Sequence, residues 1–516
     1  MGTPSTADLQ KLVDSQGRLI EELQKENRLL RQKIDALARR VFGKSSEKLN
    51  PGQLEFLFAL QDGDLGPGKH PASAGDLRID EGADSEPASG RRRRRPFARK
   101  ERWPSDLAVV DEVIEPREVL EEPGAWRHIE DEVSQQLDYE PGRFLLRRVI
   151  RRKYVRRAAA EQAFAIAPLP PGLQERCIAA PGLLAQIVVG KFCDHLPLYR
   201  QESIFESRYG VELSRQSMAR WMKLVADWLR PVYEEIRVGV LAGGYVQVDE
   251  TPIRYLSPGM GRALQGYLWA TCRPYGDVFY RWETSRAATC LERIIPAEFD
   301  GTLQSDAYAA YATFARRRAV ALTLAGCWAH VRRPFYEARE QAPQIVGFLL
   351  RQLQHLYRIE AELREKGVGP RGREARRAAQ SAPIVERIHR LLTRLKLRGR
   401  FLPSSALGQA IDHALAVWPS LLVYLGDGRV EIDNNLVENS IRPTAIGKKN
   451  WLFVGEADAG QTAAIIYTVI ECCRRRGIDP YEYLRDVLTR LPSMTNRQVK
   501  DITPAAWAQA RQRAAA

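Results

Sequence analysis

Residues 245–256, YVQVDETPIRYL, have the alternating pattern of a β-strand, with Val246 and Val248 on either side of Gln247. Asp249 follows this apolar run, so the pattern predicts a central strand that ends at an acid. Burying a carboxylate at such a position costs free energy unless a cation offsets its charge. The stretch therefore indicates a strand that presents Asp249 to a cation.

Further strand-like runs follow this one along the chain. Residues 264–274, LQGYLWATCRP, and 277–286, DVFYRWETSR, are separated by turns that contain Gly and Pro, and this predicts a three-stranded antiparallel meander. A helical segment at 287–299 comes next, followed by apolar runs at 301–311 and 319–335. The order strand, strand, strand, helix, strand, helix, strand is that of an α/β catalytic core with a mixed, ribonuclease-H-like sheet.

A second acid, Asp306, comes just past the strand-like residues Leu303 and Gln304. Most aspartates at strand ends are N-caps or turn residues, so neither Asp249 nor Asp306 is informative when read alone. Two acids on neighbouring strands, however, can share a metal ion. The predicted strand order therefore strengthens both assignments.

A third acidic segment, VEIDNNLVENSIRPTAIGKKNWLFVG at residues 430–455, contains three acids, Glu431, Asp433 and Glu438. Asp433 is predicted to cap a short helix that ends near Arg442, because Pro443 disfavours helical backbone before it. Glu438 then lies mid-helix. A cap explains Asp433, and nothing obliges Glu431 to point inward, but the residues alone do not choose among the three.

The composition favours an anionic partner. Lysine and arginine number 78 against 64 aspartates and glutamates in 516 residues, which gives a formal net charge of +14. Nucleic acid is the first expectation and a membrane surface the second. The longest apolar stretches, 177–190 and 414–425, fall short of the roughly 18 residues that a membrane span needs. The N-terminus has no secretory signal pattern, so we expect a cytoplasmic, nucleoid-associated protein without a membrane partner.

The seven cysteines form no C-x-x-C pair, and the seven histidines are scattered. This pattern predicts neither a disulfide framework nor a zinc knuckle. The expected role of each cysteine is that of a small core residue in a reducing compartment.

The first 50 residues contain a heptad repeat between residues 9 and 41. Leucines occupy most d positions, β-branched residues most a positions, and Asn27 one a position. This arrangement predicts a parallel coiled coil and therefore a homodimer or higher oligomer. The alternative is an amphipathic helix packed on its own domain.

Residues 51–104 predict a flexible basic linker that ends in five consecutive arginines, Arg91, Arg92, Arg93, Arg94 and Arg95. These side chains either contact DNA phosphates or remain solvated on a tether. Residues 105–168 predict a small β-rich module, whose run RRVIRRKYVRR at 147–157 suggests a strongly basic edge.

Residues 169–240 contain three helical stretches that are similar to a helix-turn-helix. Ser214 is the expected N-cap of the third helix. On that helix, Arg215, Gln216 and Arg220 share a face that fits a DNA major groove. A plain helical bundle matches the same pattern.

Four motifs go beyond these patterns: D-E-T at 249–251, S-D-A-Y at 305–308, C-W-A-H-x-R-R at 327–333, and D-N-N-x-x-E-N-x-I-R-P-x-x-x-G-K-K-N-W at 433–451. Together they resemble the insertion-sequence-66 family of DDE transposases. The similarity extends through FGKSSEKL at 42–49, the helices at 182–202 and the tail at 463–492, and so covers nearly the whole chain.

The resemblance implies that Asp249, Asp306 and Glu438 form a catalytic triad that holds two Mg²⁺ or Mn²⁺ ions. Asp249 is expected to contact both ions, Asp306 one and Glu438 the other, in an in-line attack on a DNA phosphodiester. It also implies double-stranded DNA as the partner, both element ends and target, and accessory proteins of the same element are a further possible partner class.

The chain departs from the family pattern in one respect. Members of the family have two C-x-x-C pairs in the module after the linker, one near residues 121–124 and one just after Lys153 and Tyr154, and neither pair exists here. We therefore predict no structural zinc, with the basic strand compensating through phosphate contacts. About 130 residues separate Asp306 from Glu438, which predicts a helical insertion over residues 340–431.

Several basic and aromatic residues are candidates for supporting roles. His330, a possible catalytic support, is predicted to approach the scissile phosphate or else to be a core histidine. The expected phosphate contacts are Arg332, Arg333, Arg442, Lys448 and Lys449. Trp451 either stacks on a base or, as an aromatic at a strand start, belongs to the core.

The remaining boundaries place the core at 241–339 and 432–460, with a helical C-terminal region at 461–516. The predicted function is binding of insertion-sequence ends, followed by metal-dependent DNA cleavage and strand transfer. The alternatives are a structure-specific nuclease on the same fold and a non-catalytic DNA-binding regulator derived from a transposase.

Overall fold

The computed structural model describes residues 107–140, 142–156, 164–175 and 177–515. All of them belong to one unit that spans residues 97–516. The predicted coiled coil at 9–41 and the linker arginines Arg91 to Arg95 lie outside the described residues.

The N-terminal part of this unit is a four-stranded sheet. Its elements are β1 (Ala108–Ile114), α1 (Arg117–Glu121), β2 (Trp126–Glu140), β3 (Arg143–Arg156) and β4 (Phe164–Ile166). The strand order is β1-β3-β2, with β1 parallel and β2 antiparallel to β3, and β4 pairs with the end of β3.

The described part of the basic run, residues 147–156, falls on β3, which is the central strand of this sheet, so the expectation of a basic edge was wrong. Acids of the two neighbouring strands and the loop after β1 neutralise its side chains through the pairs Arg147–Glu112, Arg148–Asp111, Arg151–Glu132, Arg152–Glu115 and Lys153–Glu130. Opposite charges on facing positions stabilise a sheet. The excess of arginine on this strand is therefore largely matched within the sheet.

Three helices follow: α2 (Pro181–Phe192), α3 (Leu198–Tyr209) and α4 (Arg215–Leu241). Gly210 ends α3 with φ of 63°, a left-handed conformation that glycine adopts without steric cost. Ser214 caps α4, as predicted, by accepting a hydrogen bond from the Ser217 N–H. The buried α4 residues include Val225, Leu229, Val232 and Ile236, whose helical spacing forms one apolar face.

The second sheet holds the candidate site. Its elements are β5 (Tyr245–Leu256), β6 (Ala263–Cys272), β7 (Val278–Glu283), α5 (Ala288–Ile294), β8 (Thr302–Gln304), α6 (Ala309–Arg316) and β9 (Thr323–Ala325). The strand order is β7-β6-β5-β8-β9, with the first three antiparallel and β8 and β9 parallel to β5. The described chain is thus mixed α/β, and its strands and helices alternate in the predicted order.

β5 does not end at Asp249, as the sequence pattern suggested, but continues to Leu256. β6 pairs with residues Gln247 to Leu256 of β5, and this pairing extends β5 beyond the apolar run. On its other side β5 pairs with β8 at residues 245–247 and with β10 (Phe453–Glu456) at Arg254 and Leu256. Asp249 therefore lies in the interval between these two parallel partners.

Helices fill the chain between the second and third acids. They are α7 (Trp328–Glu337), α8 (Pro343–Glu365), α9 (Pro370–Arg376), a π-helical turn (Arg377–Ser381), α10 (Ala382–Leu397), α11 (Ala406–Ala416) and α12 (Trp418–Gly426). Val346, Leu349, Leu353 and Leu356 of α8 repeat every three or four residues and are buried in a core that these helices share with Tyr245 of β5. The helical insertion thus has a hydrophobic core that is largely its own.

The chain ends with α13 (Asn435–Trp451), β10, α14 (Ala457–Arg474), α15 (Pro480–Arg490) and α16 (Pro504–Ala515). α13 continues through Pro443, so the predicted end near Arg442 was wrong. Burial of Val437, Ile441 and Thr444 on one face of the helix outweighs the cost of an internal proline.

No helix in the described ranges is both long enough and apolar enough to cross a membrane.

Candidate active site

The parallel pairing of β5 with β8 brings the first two acids to the same level of the sheet. Gln247 pairs with Gln304 in this register. Asp249 and Asp306 each come two residues after that pair. Asp249 lies on β5, opposite Ala270 of β6, while Asp306 lies in the turn after β8. The two carboxylates interact, since the charge of Asp306 helps to raise the pKa of Asp249.

Two buried glutamines, Gln247 and Gln304, link these strands to the segment that contains the third acid. Nε2 of Gln247 donates to the carbonyl of Asp433 at 2.9 Å, and its Oε1 accepts from the N–H of Val437 at 3.3 Å. Nε2 of Gln304 donates to the carbonyl of Glu431 at 2.8 Å. Both side chains are fully buried, where an unmade hydrogen bond is costly. We call these two residues the glutamine pair.

Glu438 lies in the first turn of α13, one residue after Val437, and not mid-helix as predicted. The difference arises because the helix begins at Asn435 and extends past the proline. Since Gln247 holds the start of this helix against β5, the Glu438 carboxylate is brought close to the other two acids. The charge of Asp306 helps to raise the pKa of Glu438, and the charge of Glu438 does the same for Asp249.

Asp249 is a strongly perturbed acid. Its pKa is raised to about 8, chiefly by burial and then by the negative charges of Glu250, Glu438 and Asp306. No ion pair to Asp249 exists among residues 107–515 wherever the structure describes them. A carboxylate in this state binds either a proton or a cation at neutral pH.

The neighbouring acid, Glu250, has a different environment although its side chain is only 1% exposed. It pairs with Arg286 and accepts a hydrogen bond from the Tyr311 hydroxyl at 2.9 Å. The Arg286 guanidinium also lies 3.5 Å from Asp306 and 3.9 Å from the centre of the Tyr308 ring. Arg286 thus neutralises Glu250 and partly offsets Asp306, while Asp249 keeps no such partner.

The rival acids of the third segment both have partners. Glu431 is buried, contrary to the expectation that nothing turns it inward, because Arg364 and Arg373 lie 3.0 and 2.7 Å from its oxygens. Asp433 accepts from the backbone N–H and the side-chain amide of Asn435, at 3.2 and 2.9 Å. Neither acid is left for a metal, which favours Glu438.

His330 lies on α7, directly after β9. Its Nδ1 is 3.7 Å from Oε1 of Glu438, too far for a hydrogen bond. Arg332 and Arg333 are exposed on the same helix, and Arg333 pairs with Glu337 at 3.1 Å. His330 therefore reaches the acid cluster, whereas the two arginines extend toward solvent.

The basic residues of α13 divide into two kinds. Lys448 donates to the Thr251 hydroxyl at 3.0 Å and to the Pro252 carbonyl at 3.1 Å, so it ties α13 to β5 just beyond the acids. Arg442 and Lys449 are exposed. These two remain available to an anionic partner, whereas Lys448 already has protein acceptors.

Trp451 is the last residue of α13 and not, as expected, the first of a strand. It packs against the main hydrophobic core, which includes buried residues of α4 and of β5 to β7. It also lines a cavity of about 710 Å³. Arg215 and Gln216, at the start of α4, line the same cavity, while Arg220 is exposed one turn further on. The fold thus brings two predicted DNA-contacting residues beside the end of α13.

The profile described as "Transposase IS66 family" matches residues 176–462, a range that contains the acids, the helical insertion and the three helices before β5. The chain belongs to the IS66 transposase family. A second profile, "IS66 C-terminal element", matches residues 468–505, and a third, "Transposase C of IS166 homeodomain", matches residues 29–111. The family resemblance inferred from the motifs is therefore confirmed.

Curated relatives of this IS66-family chain extend over most of its length. The uncharacterized protein y4jD of Sinorhizobium fredii is 36% identical over 425 residues, which cover 78% of this chain and 81% of the relative. The uncharacterized protein y4qI of the same organism is 35% identical over 477 residues, covering 89% and 85%. A third, y4hP, is 30% identical over 444 residues, covering 81% and 78%.

Sequence reasoning missed the glutamine pair and Arg286 in this IS66-family chain. A signal for the glutamines exists, because each of the two candidate aspartates follows a glutamine at the same spacing, Gln-x-Asp, at 247–249 and at 304–306. A polar residue inside an apolar strand requires a buried partner. No comparable signal marks Arg286, whose partners become neighbours only in the folded sheet.

Proposed function

We propose that this IS66-family protein is a DDE transposase, which binds the ends of its insertion sequence and catalyses DNA cleavage and strand transfer at Asp249, Asp306 and Glu438. The observation behind this proposal is the convergence of three interacting carboxylates, with the pKa of Asp249 raised to about 8 and no cationic side chain of the described residues paired with it. The strand order β7-β6-β5-β8-β9 supports a ribonuclease-H-like core.

The donor set fits a hard divalent cation. Mg²⁺ and Mn²⁺ prefer oxygen ligands, and the three candidate acids supply carboxylate oxygens close to a partly buried position. When bound there, two such ions activate an oxygen nucleophile and stabilise charge on the phosphoryl group and the departing 3′ oxygen. Asp249, Asp306 and Glu438 are the residues that would hold them.

The protein's own residues have separable tasks in this proposal. The glutamine pair keeps Glu438 in register with the two aspartates, and Arg286 pairs with Glu250 and with Asp306. Arg332, Arg333, Arg442 and Lys449 are exposed around the site and suit contacts to flanking phosphates. His330 faces Glu438, and its charge interaction lowers the pKa of that carboxyl group, opposing the effect of burial.

DNA recognition is proposed for the start of α4. Arg215, Gln216 and Arg220 are exposed on its first turns, and Ser214 fixes the helix start. Such a helix N-terminus fits a major groove. Pairing of two chains through residues 9–41 and a contribution of accessory proteins belong to the same proposal.

The reaction has two chemical steps at one site. Water attacks the phosphorus at the element end and frees a 3′ hydroxyl, which then attacks a phosphodiester of the target DNA. The second step joins the element to the target as the target's own 3′ oxygen departs. Neither step needs a covalent bond between protein and DNA.

The decisive experiment incubates the purified full-length protein with Mg²⁺ and labelled element-end DNA, beside Asp249→Ala and Glu438→Gln. We expect cleavage and joined product from the wild type and neither from the variants. Glu292→Gln, at an exposed acid on α5, is the matched control and should retain activity. Equal cleavage by all four proteins would overturn the proposal, and cleavage without joining would assign a nuclease instead.

A further inference from the structure

Cys327, His330 and Glu438 form a second potential ligand set beside the three acids. The thiol sulfur, one imidazole nitrogen and one carboxylate oxygen all lie within 4.8 Å of one another. Cys327 caps the start of α7 and His330 follows three residues later, a spacing that puts both on the same face of the helix. Glu438 reaches them from the first turn of α13.

Two of these three ligand atoms are buried and have no hydrogen-bond partner in the described part of the chain. They are Nδ1 of His330 and Oε1 of Glu438, which face each other at 3.7 Å. A bound ion is one of the species that satisfies buried polar atoms of this kind. Ligand atoms around a tetrahedral Zn²⁺ lie roughly 3.3–3.6 Å apart, so a modest contraction of the cluster is sufficient.

The Cys327 thiol stays protonated unless a cation is bound beside it. Burial raises the pKa of the thiol to about 12, while the backbone N–H groups of Asn434 and His330 favour its ionised form. N–H donors to a ligand sulfur are a common outer-shell feature of thiolate sites. A divalent cation ionises a coordinating thiol outright, releasing its proton to solvent.

We propose that Cys327, His330 and Glu438 bind a thiophilic divalent cation, with Zn²⁺ as the best match to the sulfur, nitrogen and oxygen donors. Thiolate selects Zn²⁺ over Mg²⁺, and three protein ligands leave a fourth position for water. This site is distinct from the zinc-binding pattern of the N-terminal module, whose cysteines this chain lacks.

The site has a consequence for activity, and that consequence rests on the proposed function. A Glu438 oxygen held by Zn²⁺ beside α7 is withdrawn from the acid cluster. Zn²⁺ therefore inhibits Mg²⁺-dependent cleavage by competing for one carboxylate, and not by displacing DNA.

The site is tested without DNA, using Co²⁺ as a spectroscopic probe on the full-length protein. We expect Co²⁺ at this site to give a sulfur-to-metal charge-transfer band that Zn²⁺ abolishes, whereas Co²⁺ held by the carboxylates alone gives no such band. Cys327→Ser should lose the band and bind Zn²⁺ roughly 100-fold more weakly or worse, since even outer-shell changes at metal sites cost 10–100-fold. Cys290→Ser, at another buried cysteine, is the matched control and should keep both.

A second pair of variants guards against simple misfolding. His330→Asn and Glu438→Gln should keep the charge-transfer band but weaken Zn²⁺ binding, because the sulfur ligand remains. An unchanged band in Cys327→Ser, or no Co²⁺ binding by the wild type, overturns the site.

An activity measurement separates this inference from the proposed function. The Zn²⁺ concentration that halves each protein's own Mg²⁺-dependent cleavage should rise at least tenfold in Cys327→Ser. If the wild type cleaves no DNA, the proposed function fails while the spectroscopic result still decides the metal site. Equal zinc sensitivity of the two proteins overturns the competition.

Discussion

Two groups of buried acids in this protein have opposite surroundings. In the helical insertion, the Glu360 side chain is fully buried and contacts Arg373 and Arg377 at 3.0 and 2.7 Å, and these arginines lower its pKa. In the second sheet, Asp249 has acids as its charged neighbours, and its pKa is raised to about 8. Glu360 is fully buried and Asp249 partly buried, but only the first has its charge matched.

The difference separates structural acids from candidate functional ones. Glu360 and Glu431 share three arginines, Arg364, Arg373 and Arg377, so their charges hold the insertion together. Glu250 is intermediate, because Arg286 pairs with it although burial still raises its pKa. Asp249 has the opposite arrangement, which reduces stability unless a cation is bound, and a site that keeps such a cost is a candidate for function.

The largest expected effect is the loss of activity in Asp249→Asn. Removing one of three carboxylates should reduce cleavage by on the order of 10³-fold, since a metal ion supplies several kcal/mol of transition-state stabilisation. In a chelating buffer at pH 8 the same variant should melt at a higher temperature than the wild type, because it has no charge to bury. Cleavage assays measure the loss of activity, and thermal melts measure the gain in stability. A variant that is both active and less stable would contradict the contrast drawn between Asp249 and Glu360.

The next largest effect is on stability. Arg377→Met leaves Glu360 buried without its main partner and should lower the free energy of unfolding by about 3–5 kcal/mol. Arg429→Met, which removes an exposed partner of Asp427, should cost less than about 1 kcal/mol. Urea denaturation of both variants measures the contrast. Similar losses in the two would show that burial of the pair does not matter.

The glutamine pair offers a smaller test. Gln304→Leu breaks the hydrogen bonds to the carbonyls of Gly326, before α7, and Glu431, before α13, and should weaken Mn²⁺ affinity by about 10–100-fold, the range for outer-shell changes. Saturating Mn²⁺ should restore most of the cleavage rate, which a merely unfolded variant would not permit. Gln265→Leu, at an exposed glutamine on β6, is the control. If added Mn²⁺ rescues nothing, the glutamine pair does not act through the metal ligands.

The smallest expected effect is the change in metal affinity with pH. The pKa of Asp249 rises from its ordinary value of 3.8 to about 8 on folding. The unfolded chain therefore releases this proton first, and the metal-free protein loses stability as pH rises from about 4 to about 8. Over the same interval Mg²⁺ must displace the proton, so its affinity should rise by up to about tenfold per pH unit and level off above pH 8. Calorimetric titration measures this slope, which should largely disappear in Asp249→Asn.

Much of the second sheet could be predicted because its information is local. Alternation around Val246 and Val248, Gly-containing turns and two Asp residues after apolar runs are enough to order the strands and to bring Asp249 near Asp306. The choice of Glu438 over Glu431 and Asp433 needed the family resemblance. Its role, like that of the aspartates, stays a prediction.

The features that could not be predicted depend on contacts between distant residues. Glu431 turns inward because Arg364 and Arg373, some 60 residues earlier, are there to meet it. α13 passes Pro443 because its buried face packs against the main core, and tertiary packing outweighs local preference. The basic strand became a neutralised central strand for the same reason, since its acidic partners come from other strands.

The helical insertion also determines when the site can exist. Asp249 and Asp306 leave the ribosome more than a hundred residues before Glu438, and the intervening helices have a core that is largely their own. Domains fold in the order of their synthesis. A nascent or truncated chain therefore contains two acids of the cluster without the third. On the proposed function, such a chain could not cut DNA until the insertion has folded and α13 has docked on β5.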